Sequence, residues 1–380
     1  MHVVQACPWF HPYVGGVETH VATLSAELVR RGHEVTVVTS RTGRDVSERE
    51  EWEGIHIRRA KARAVWIRTP IAPATKALLA SVSPDIVHAH SPPPLTSYYA
   101  AKASARHSFP FVITYHCDVE VPSFYGPLVE SIYRHTLEYS TIRRADRIIV
   151  TTATYAATSR AVWPFNPVVI PNAVNMRRYR PENDGRPARA RHGIHEGESL
   201  VLFVGRMVAH KGIENLIEAA RSVAYAKFLI VGGGPEIGAL RRLAARLGVT
   251  DRVTFTGRVS RDDLPSYFAA CDVFVLPSVS RLEAFGIVAL EAMASGKSVV
   301  VSDIPGVREV ITDGKEGLLA DPVNPEDLAL KIRTLLADDR KRREMGRAGR
   351  LTVEKAFSIE SVADRVEAVY REVSANPRRT

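Results

Sequence analysis

Four charged side chains stand where apolar, β-branched runs give way to helical stretches: Arg206, Lys211, Glu283 and Glu291. Arg206 and Lys211 share the segment Gly205-Arg206-Met207-Val208-Ala209-His210-Lys211-Gly212. Two cations on one loop can hold a diphosphate from two sides, arginine through a bidentate fork and lysine as a point charge. A solvated pair of surface cations is the competing reading. Glu283 and Glu291 lie in Ser280-Arg281-Leu282-Glu283-Ala284-Phe285-Gly286-Ile287-Val288-Ala289-Leu290-Glu291. This pattern predicts Glu283 in a loop and Glu291 in the second turn of the helix that follows. Carboxylates so placed can accept hydrogen bonds from sugar hydroxyls, although one near a helix start can instead compensate the helix dipole.

Two further places could carry chemistry. Gly15-Gly16 sits between the first strand and the first helix, where the backbone can approach a ligand and the helix offers free N–H groups to a phosphate; a plain tight turn is the alternative. His116 ends the predicted strand 111–115 and could hydrogen-bond a substrate hydroxyl or move a proton across a cleft. His88 and His90 are read as packing or supporting residues. No Asp-x-Asp pair is present to hold a divalent ion; Asp118-Val119-Glu120 is the nearest substitute, and no metal site is expected. Gly232-Gly233-Gly234 lacks the spacing of a dinucleotide fingerprint, and neither a P-loop nor a Gly-x-Ser-x-Gly elbow occurs. Hydride transfer, nucleotide hydrolysis and serine hydrolysis lose their usual sequence support.

The elements that must position these residues alternate between short strands and helices, the pattern of parallel α/β sheets. Strands are predicted at 2–7, 35–39, 55–58, 86–89, 111–115, 147–151 and 167–170, then at 200–204, 227–231, 253–255, 273–276 and 298–301. Val17, Val21, Leu24 and Leu28 form the apolar stripe of a helix over 17–31. The stretch 180–198 is rich in proline, glycine and charge. The expectation is therefore two doubly wound domains facing a cleft: 1–172, a linker at 173–198, and 199–357, with a helix at 358–380 returning to the first domain. Open α/β sheets bind ligands at the carboxyl ends of their strands, which suits a nucleotide. A helix over 122–144 places Tyr125, Leu128, Val129, Ile132 and Leu137 on one side and ends in Arg143-Arg144. It is read as core-facing, with peripheral membrane contact as the alternative.

Composition narrows the classes further. At 380 residues, 45% hydrophobic and 24% charged, the chain is ordinary for a protein with buried cores. The net charge of +9 is spread over both halves, and no nucleic-acid-binding motif accompanies it, so no nucleic-acid partner is expected. Local basic clusters occur at 177–180, 186–191 and 340–343, where solvated faces are the default reading. Cys7, Cys117 and Cys271 form no CxxC pair, which argues against a zinc site or a disulfide framework. A cytoplasmic enzyme is expected.

Taken together, these residues resemble the retaining glycosyltransferase family 4 of the GT-B fold, over nearly the whole chain. Glu283 and Glu291, with Phe285-Gly286 between them, match its Glu-x7-Glu motif. Arg206 and Lys211 match its Arg-x4-Lys element, and Gly15-Gly16-Val17-Glu18 its amino-terminal glycine loop. Pro171-Asn172-Ala173-Val174-Asn175 resembles its Pro-Asn-Gly-Val-Asp with two departures. The resemblance implies a hexosyltransferase using a nucleotide-diphosphate sugar, UDP- or GDP-linked (GDP-mannose among them), without a metal cofactor. Arg206 and Lys211 would bind the diphosphate, Glu291 the ribose and Glu283 the donor sugar. Gly16 in the Gly15-Gly16 loop would meet phosphate, and Phe285 and Gly286 would offer amides beside the sugar. Val259 would touch the base, and His116 would lie near the transferred sugar and acceptor. The acceptor would be a glycan, a lipid-linked molecule or a small molecule. An epimerase or hydrolase on the same fold, or a non-catalytic sugar-nucleotide-binding protein, are the rival readings.

Overall fold

The computed structural model describes residues 1–43, 45–66, 69–119 and 125–376. Glu120, the first residues of the helix expected over 122–144, and residues 377–380 lie outside the described residues. The chain divides into two compact units, Met1–Ala173 with Ile359–Thr380, and Val174–Ser358.

The first unit is built on β1 (His2–Ala6), β2 (Glu34–Arg41), β3 (Arg49–Trp52), β4 (Ile55–Lys61), a separate hairpin of β5 (Ala64–Trp66) and β6 (Thr69–Ile71), then β7 (Ile86–Ser91), β8 (Phe111–Tyr115), β9 (Arg147–Val150) and β10 (Val168–Val169). Its main sheet has the order β10-β9-β8-β7-β1-β2-β4-β3, parallel except for β3 against β4 at the edge. β1, β2, β7 and β8 are buried almost throughout, as strands covered on both faces are, and the polar residues among them, Gln5, His88 and His90, are buried with them. β3, β5 and β6 were not predicted; β3 (Arg-Glu-Glu-Trp) carries little apolar signal at its sheet edge, and β5 (Ala-Val-Trp) is only three residues long and exposed. The helix Ile359–Ala375 belongs to this unit: Val362, Val366 and Tyr370 enter one core with Val3, Val21 and Leu24. Arg31 at the end of the helix Gly16–Arg30 anchors it through Asp364 (2.6 Å), Glu367 (3.2 Å) and the carbonyl of Glu360 (2.8 Å).

The second unit carries β11 (Ser199–Val204), β12 (Ala226–Val231), β13 (Val253–Gly257), β14 (Val273–Leu276), β15 (Ser298–Ser302) and β16 (Gly317–Ala320). All are parallel, in the order β13-β12-β11-β14-β15-β16. β16 is an addition to the predicted set. The stretch expected as a linker is instead packed into this unit: Arg186–Arg191 is helical, and Tyr179, Ala188 and Ile194 are buried in its core. Proline, glycine and charge there mark turns laid on a core, not a free connection.

In each sheet the strand order reverses beside the first strand of its unit, between β1 and β7 and between β11 and β14. At such a reversal the connections on either side leave toward opposite faces, so a crevice opens at the carboxyl ends of the strands. The loops bearing Gly15 and Gly16, and those bearing Arg206 and Glu283, all start at these two places.

Candidate functional site

In the second unit the loop after β11 is shaped by glycines that let three backbone segments touch. Gly232, at φ +134°, has its α-carbon so close to the carbonyl of Gly205 that a side chain would fall 1.8 Å from that oxygen. Gly212, at φ +60°, packs equally tightly on the carbonyl of Pro277 after β14. This draws Lys211 toward Glu283 across the reversal point: the Lys211 ammonium donates to the Glu283 carboxylate, which also accepts from the Ser278 hydroxyl at 3.2 Å. Both charged side chains are largely buried. Arg206 is half-buried on the same loop. A lysine and a carboxylate expected to meet different parts of a ligand thus meet each other.

Glu283 lies in a loop and Glu291 in the second turn of the helix Ile287–Ala294. Glu291 is 5% exposed, and burial raises its carboxyl to about 7, against the pull of the Tyr179 hydroxyl that donates to it and of Arg178 and Arg261. Sequence reasoning missed Tyr179. It sits inside what reads as a basic surface cluster, yet its ring is buried edge-on against Phe268 at 5.4 Å. Arg178 leaves that cluster to bond Asp262 at 3.1 Å. Phe285 is buried against Phe357, and Gly286, at φ +82°, starts the helix where a side chain would strike Leu276. Val259 is half-buried on the unit's core after Gly257-Arg258.

In the first unit Gly15 is the extended residue preceding the helix Gly16–Arg30, with its carbonyl accepting from Thr19 N–H at 2.9 Å. A side chain on Gly15 would meet the Glu18 carboxylate, whereas Gly16 faces open space. His116 stands just beyond β8, its N–H donating to the Ser91 carbonyl at 2.8 Å. It belongs to a buried histidine network that also holds His88 and His90. The Gln5 amide donates to the Tyr370 hydroxyl at 3.2 Å, and that hydroxyl shares a hydrogen bond with His88 Nδ1 at 2.7 Å. His88 Nε2 shares a second hydrogen bond with the Thr114 hydroxyl at 2.7 Å. The amide oxygen of Gln5 accepts from His90 Nε2 at 2.8 Å, which turns the His90 Nδ1 lone pair toward His116 Nε2 at 3.2 Å. Burial lowers all of these imidazoles, His20 to about 4, His88 to about 3, and His90 and His116 well below the ordinary value, so they are neutral near pH 7.

His20 was also missed. It interrupts the apolar stripe of its helix between Val17 and Val21, which is the signal that marks it. Among the described residues the one group of side chains within metal-holding distance is His20, His90 and His116. Asp118 is engaged otherwise, accepting from Ser159 at 2.6 Å and lying 3.1 Å from the Tyr115 hydroxyl. Cys7, Cys117 and Cys271 form no disulfide.

The helix expected to turn an apolar face to the core does not do so where it is described. Tyr125, Leu128 and Ile132 are 69%, 62% and 57% exposed. The segment runs as the helix Gly126–Tyr133, a π-helical turn Arg134–Glu138 and Tyr139–Ile142, and what it buries is Glu138, Thr141 and Ile142. Helical periodicity located an apolar face without saying what covers it. No helix among the described residues is long and apolar enough to cross a membrane.

The family described as Glycosyl transferases group 1 matches residues 185–352, and Glycosyltransferase Family 4 matches residues 14–178. The chain is 30% identical to an uncharacterised glycosyltransferase of Methanocaldococcus jannaschii, covering 96% of each. It is also 30% identical to the GDP-mannose-dependent alpha-(1-6)-phosphatidylinositol monomannoside mannosyltransferase of Mycolicibacterium smegmatis, over 90% of this chain and 91% of that one. Among solved structures, sucrose-phosphate synthase from Thermosynechococcus elongatus superposes with a TM-score of 0.80 at 25% identity, over 98% of this chain and 99% of that one.

Proposed function

Because the chain belongs to the glycosyl transferases of group 1, family 4, and is a glycosyltransferase of GT-B fold, we propose that it moves a hexosyl unit from a UDP- or GDP-sugar to an acceptor hydroxyl with retained α configuration and without a metal ion. The observation that carries this reading is the pairing of Lys211 with Glu283 beside Arg206 at the strand reversal of the second unit. A diphosphate arriving there finds two cations on one loop, Lys211 already held by Glu283. Stabilising the growing negative charge of a leaving diphosphate is the largest single means of lowering the barrier, and preformed cations do this without reorganising.

In this reading Arg206 and Lys211 take the diphosphate, Glu283 the donor sugar, and Phe285 and Gly286 give it backbone amides. Glu291 accepts from the ribose hydroxyls and Val259 packs on the base. Of the first unit's residues, the Gly15-Gly16 turn offers the Gly16 amide to phosphate, and neutral His116 hydrogen-bonds the transferred sugar. The bond from the anomeric carbon to the diphosphate breaks and one to the acceptor oxygen forms on the same face. The acceptor's proton passes to the departing phosphate oxygen, so no protein nucleophile is required.

The name of the M. smegmatis relative makes GDP-mannose the first donor to try and a lipid-borne glycan the first acceptor class. The exposed Tyr125, Leu128 and Ile132, with a hollow lined by His135, Tyr139, Arg143 and Arg144 farther along the segment, suit an anionic lipid surface. The reading is tested by incubating the protein with UDP- and GDP-sugars and acceptors in the presence of a chelator, following nucleoside diphosphate release and the anomeric proton of the product. Absence of acceptor-dependent release across both donor classes sinks it; release without any acceptor favours a hydrolase.

A further inference from the structure

His20, His90 and His116 come from three different elements, the first helix, β7 and the turn after β8, yet each offers a ring nitrogen within 4.8 Å of the others. Their ring centroids stand 5.5 Å (His20 to His90), 5.1 Å (His20 to His116) and 5.4 Å (His90 to His116) apart. Three imidazoles on one tetrahedral ion, with metal–nitrogen bonds of about 2.0–2.1 Å, place their nitrogens about 3.4 Å apart and their centroids about 5.2 Å apart. The observed centroids match that triangle, and the His90 to His116 nitrogen separation of 3.2 Å fits it as well.

The surroundings fit a ligand set too. Gln5 Oε1 accepts from His90 Nε2, the arrangement by which a supporting carbonyl fixes a metal-binding histidine with its other nitrogen free. His116 would meet the ion through Nε2 by shifting its proton to Nδ1, a change of tautomer with no net proton lost. Nitrogen-only ligands exclude Mg²⁺ and Ca²⁺ and select a borderline ion such as Zn²⁺ or Co²⁺, with one coordination position left open.

We propose that His20, His90 and His116 form a binding site for a single borderline divalent transition ion, and that its occupation removes His116 from the donor sugar and so inhibits transfer. The inhibition rests on the role given to His116 above; the binding does not.

The experiment is a titration of the metal-free full chain with Co²⁺, followed by visible absorption, and with Zn²⁺, followed by calorimetry, with x-ray absorption on the zinc-loaded wild type. The expected results are one ion per chain, an intense tetrahedral Co²⁺ spectrum and three imidazole nitrogens at about 2.0–2.1 Å. His20→Asn, a near-isosteric change, should weaken binding by roughly 100-fold or more, and Gln5→Leu by roughly 10–100-fold. His107→Ala, on an exposed face, should leave binding unchanged. Oxygen-dominated coordination, or Co²⁺ binding equal in wild type and His20→Asn, overturns the site. If His20→Asn does not fold, the x-ray absorption of the wild type decides alone. Zn²⁺ should inhibit transfer, with the half-inhibiting concentration rising roughly 100-fold in His20→Asn, in step with binding. Binding without inhibition refutes only the link to His116, and because binding is measured without donor, its failure leaves the transferase reading standing.

Discussion

Lys211 and Glu283, 72 positions apart, form a largely buried ion pair that bridges the loops after the neighbouring strands β11 and β14. A diphosphate must share or take over the lysine of this pair, so its loss should be felt in turnover. Lys211→Ala is expected to lower kcat by about 2–4 kcal/mol of transition-state stabilisation, as losing one donor to a developing oxyanion does. Steady-state rates with saturating donor check this, and turnover within threefold of wild type refutes it.

The same pair predicts a non-additive stability cycle. Lys211→Met strands a carboxylate in a site that is mostly closed to water, which costs about 3–5 kcal/mol for a fully buried pair and less here because both groups keep some exposure. Adding Glu283→Gln should restore most of the loss. Denaturant melts of the two single variants and the double variant provide the measurement, and strictly additive effects would show that the two side chains are not coupled.

Glu291 gives a pH dependence with a definite sign. Its carboxyl, raised to about 7 by burial, is largely protonated below that pH and can then accept fewer hydrogen bonds. Donor affinity should therefore strengthen as pH rises from 6 to 8, and Glu291→Gln should flatten the profile while weakening binding overall. Stability runs the other way. A raised folded-state value means that stability is fully present below the unfolded value near 4.5 and is lost as pH rises through about 7. Calorimetric donor titrations and melts across this range test both signs.

Gly232→Ala places a methyl carbon against the Gly205 carbonyl in a backbone region that L-residues rarely adopt. It should destabilise the second unit by more than about 1 kcal/mol and displace the Arg206 loop. The equivalent change at Gly16, which faces open space, should cost far less. A thermal melt comparing the two variants separates close packing from the mere presence of glycine.

Leu128→Glu and Ile132→Glu test the exposed apolar face. If these side chains enter a lipid interface, each substitution removes about 1.5–3 kcal/mol of burial, roughly tenfold or more in partition. Co-sedimentation with anionic vesicles should fall accordingly, while the melting temperature stays near wild type because neither side chain is buried in the protein. Equal sedimentation of wild type and variants removes this face from the account.

Much of the molecule was legible in the residues alone. Runs such as Val35 to Thr39 and Leu200 to Val204, short, β-branched or apolar and set between helical stretches, read as buried parallel strands, and they are. The loops after such strands are where Arg206, Lys211 and Glu283 were expected, and there they stand. What local pattern does not encode is which strands become neighbours. Lys211 meets Glu283 because β14 pairs with β11, Tyr179 leaves a basic cluster because its ring completes the core around Phe268, and Tyr370 orients Gln5 and His88 because the last helix returns to the first unit. Periodicity likewise showed that Tyr125, Leu128 and Ile132 share a face but not that the face would stay uncovered. Residue types and spacing thus determined the chemistry available at Arg206, Lys211, Glu283, Glu291 and His116. Tertiary packing alone decided how those groups pair and titrate, because both depend on contacts between residues distant in the chain.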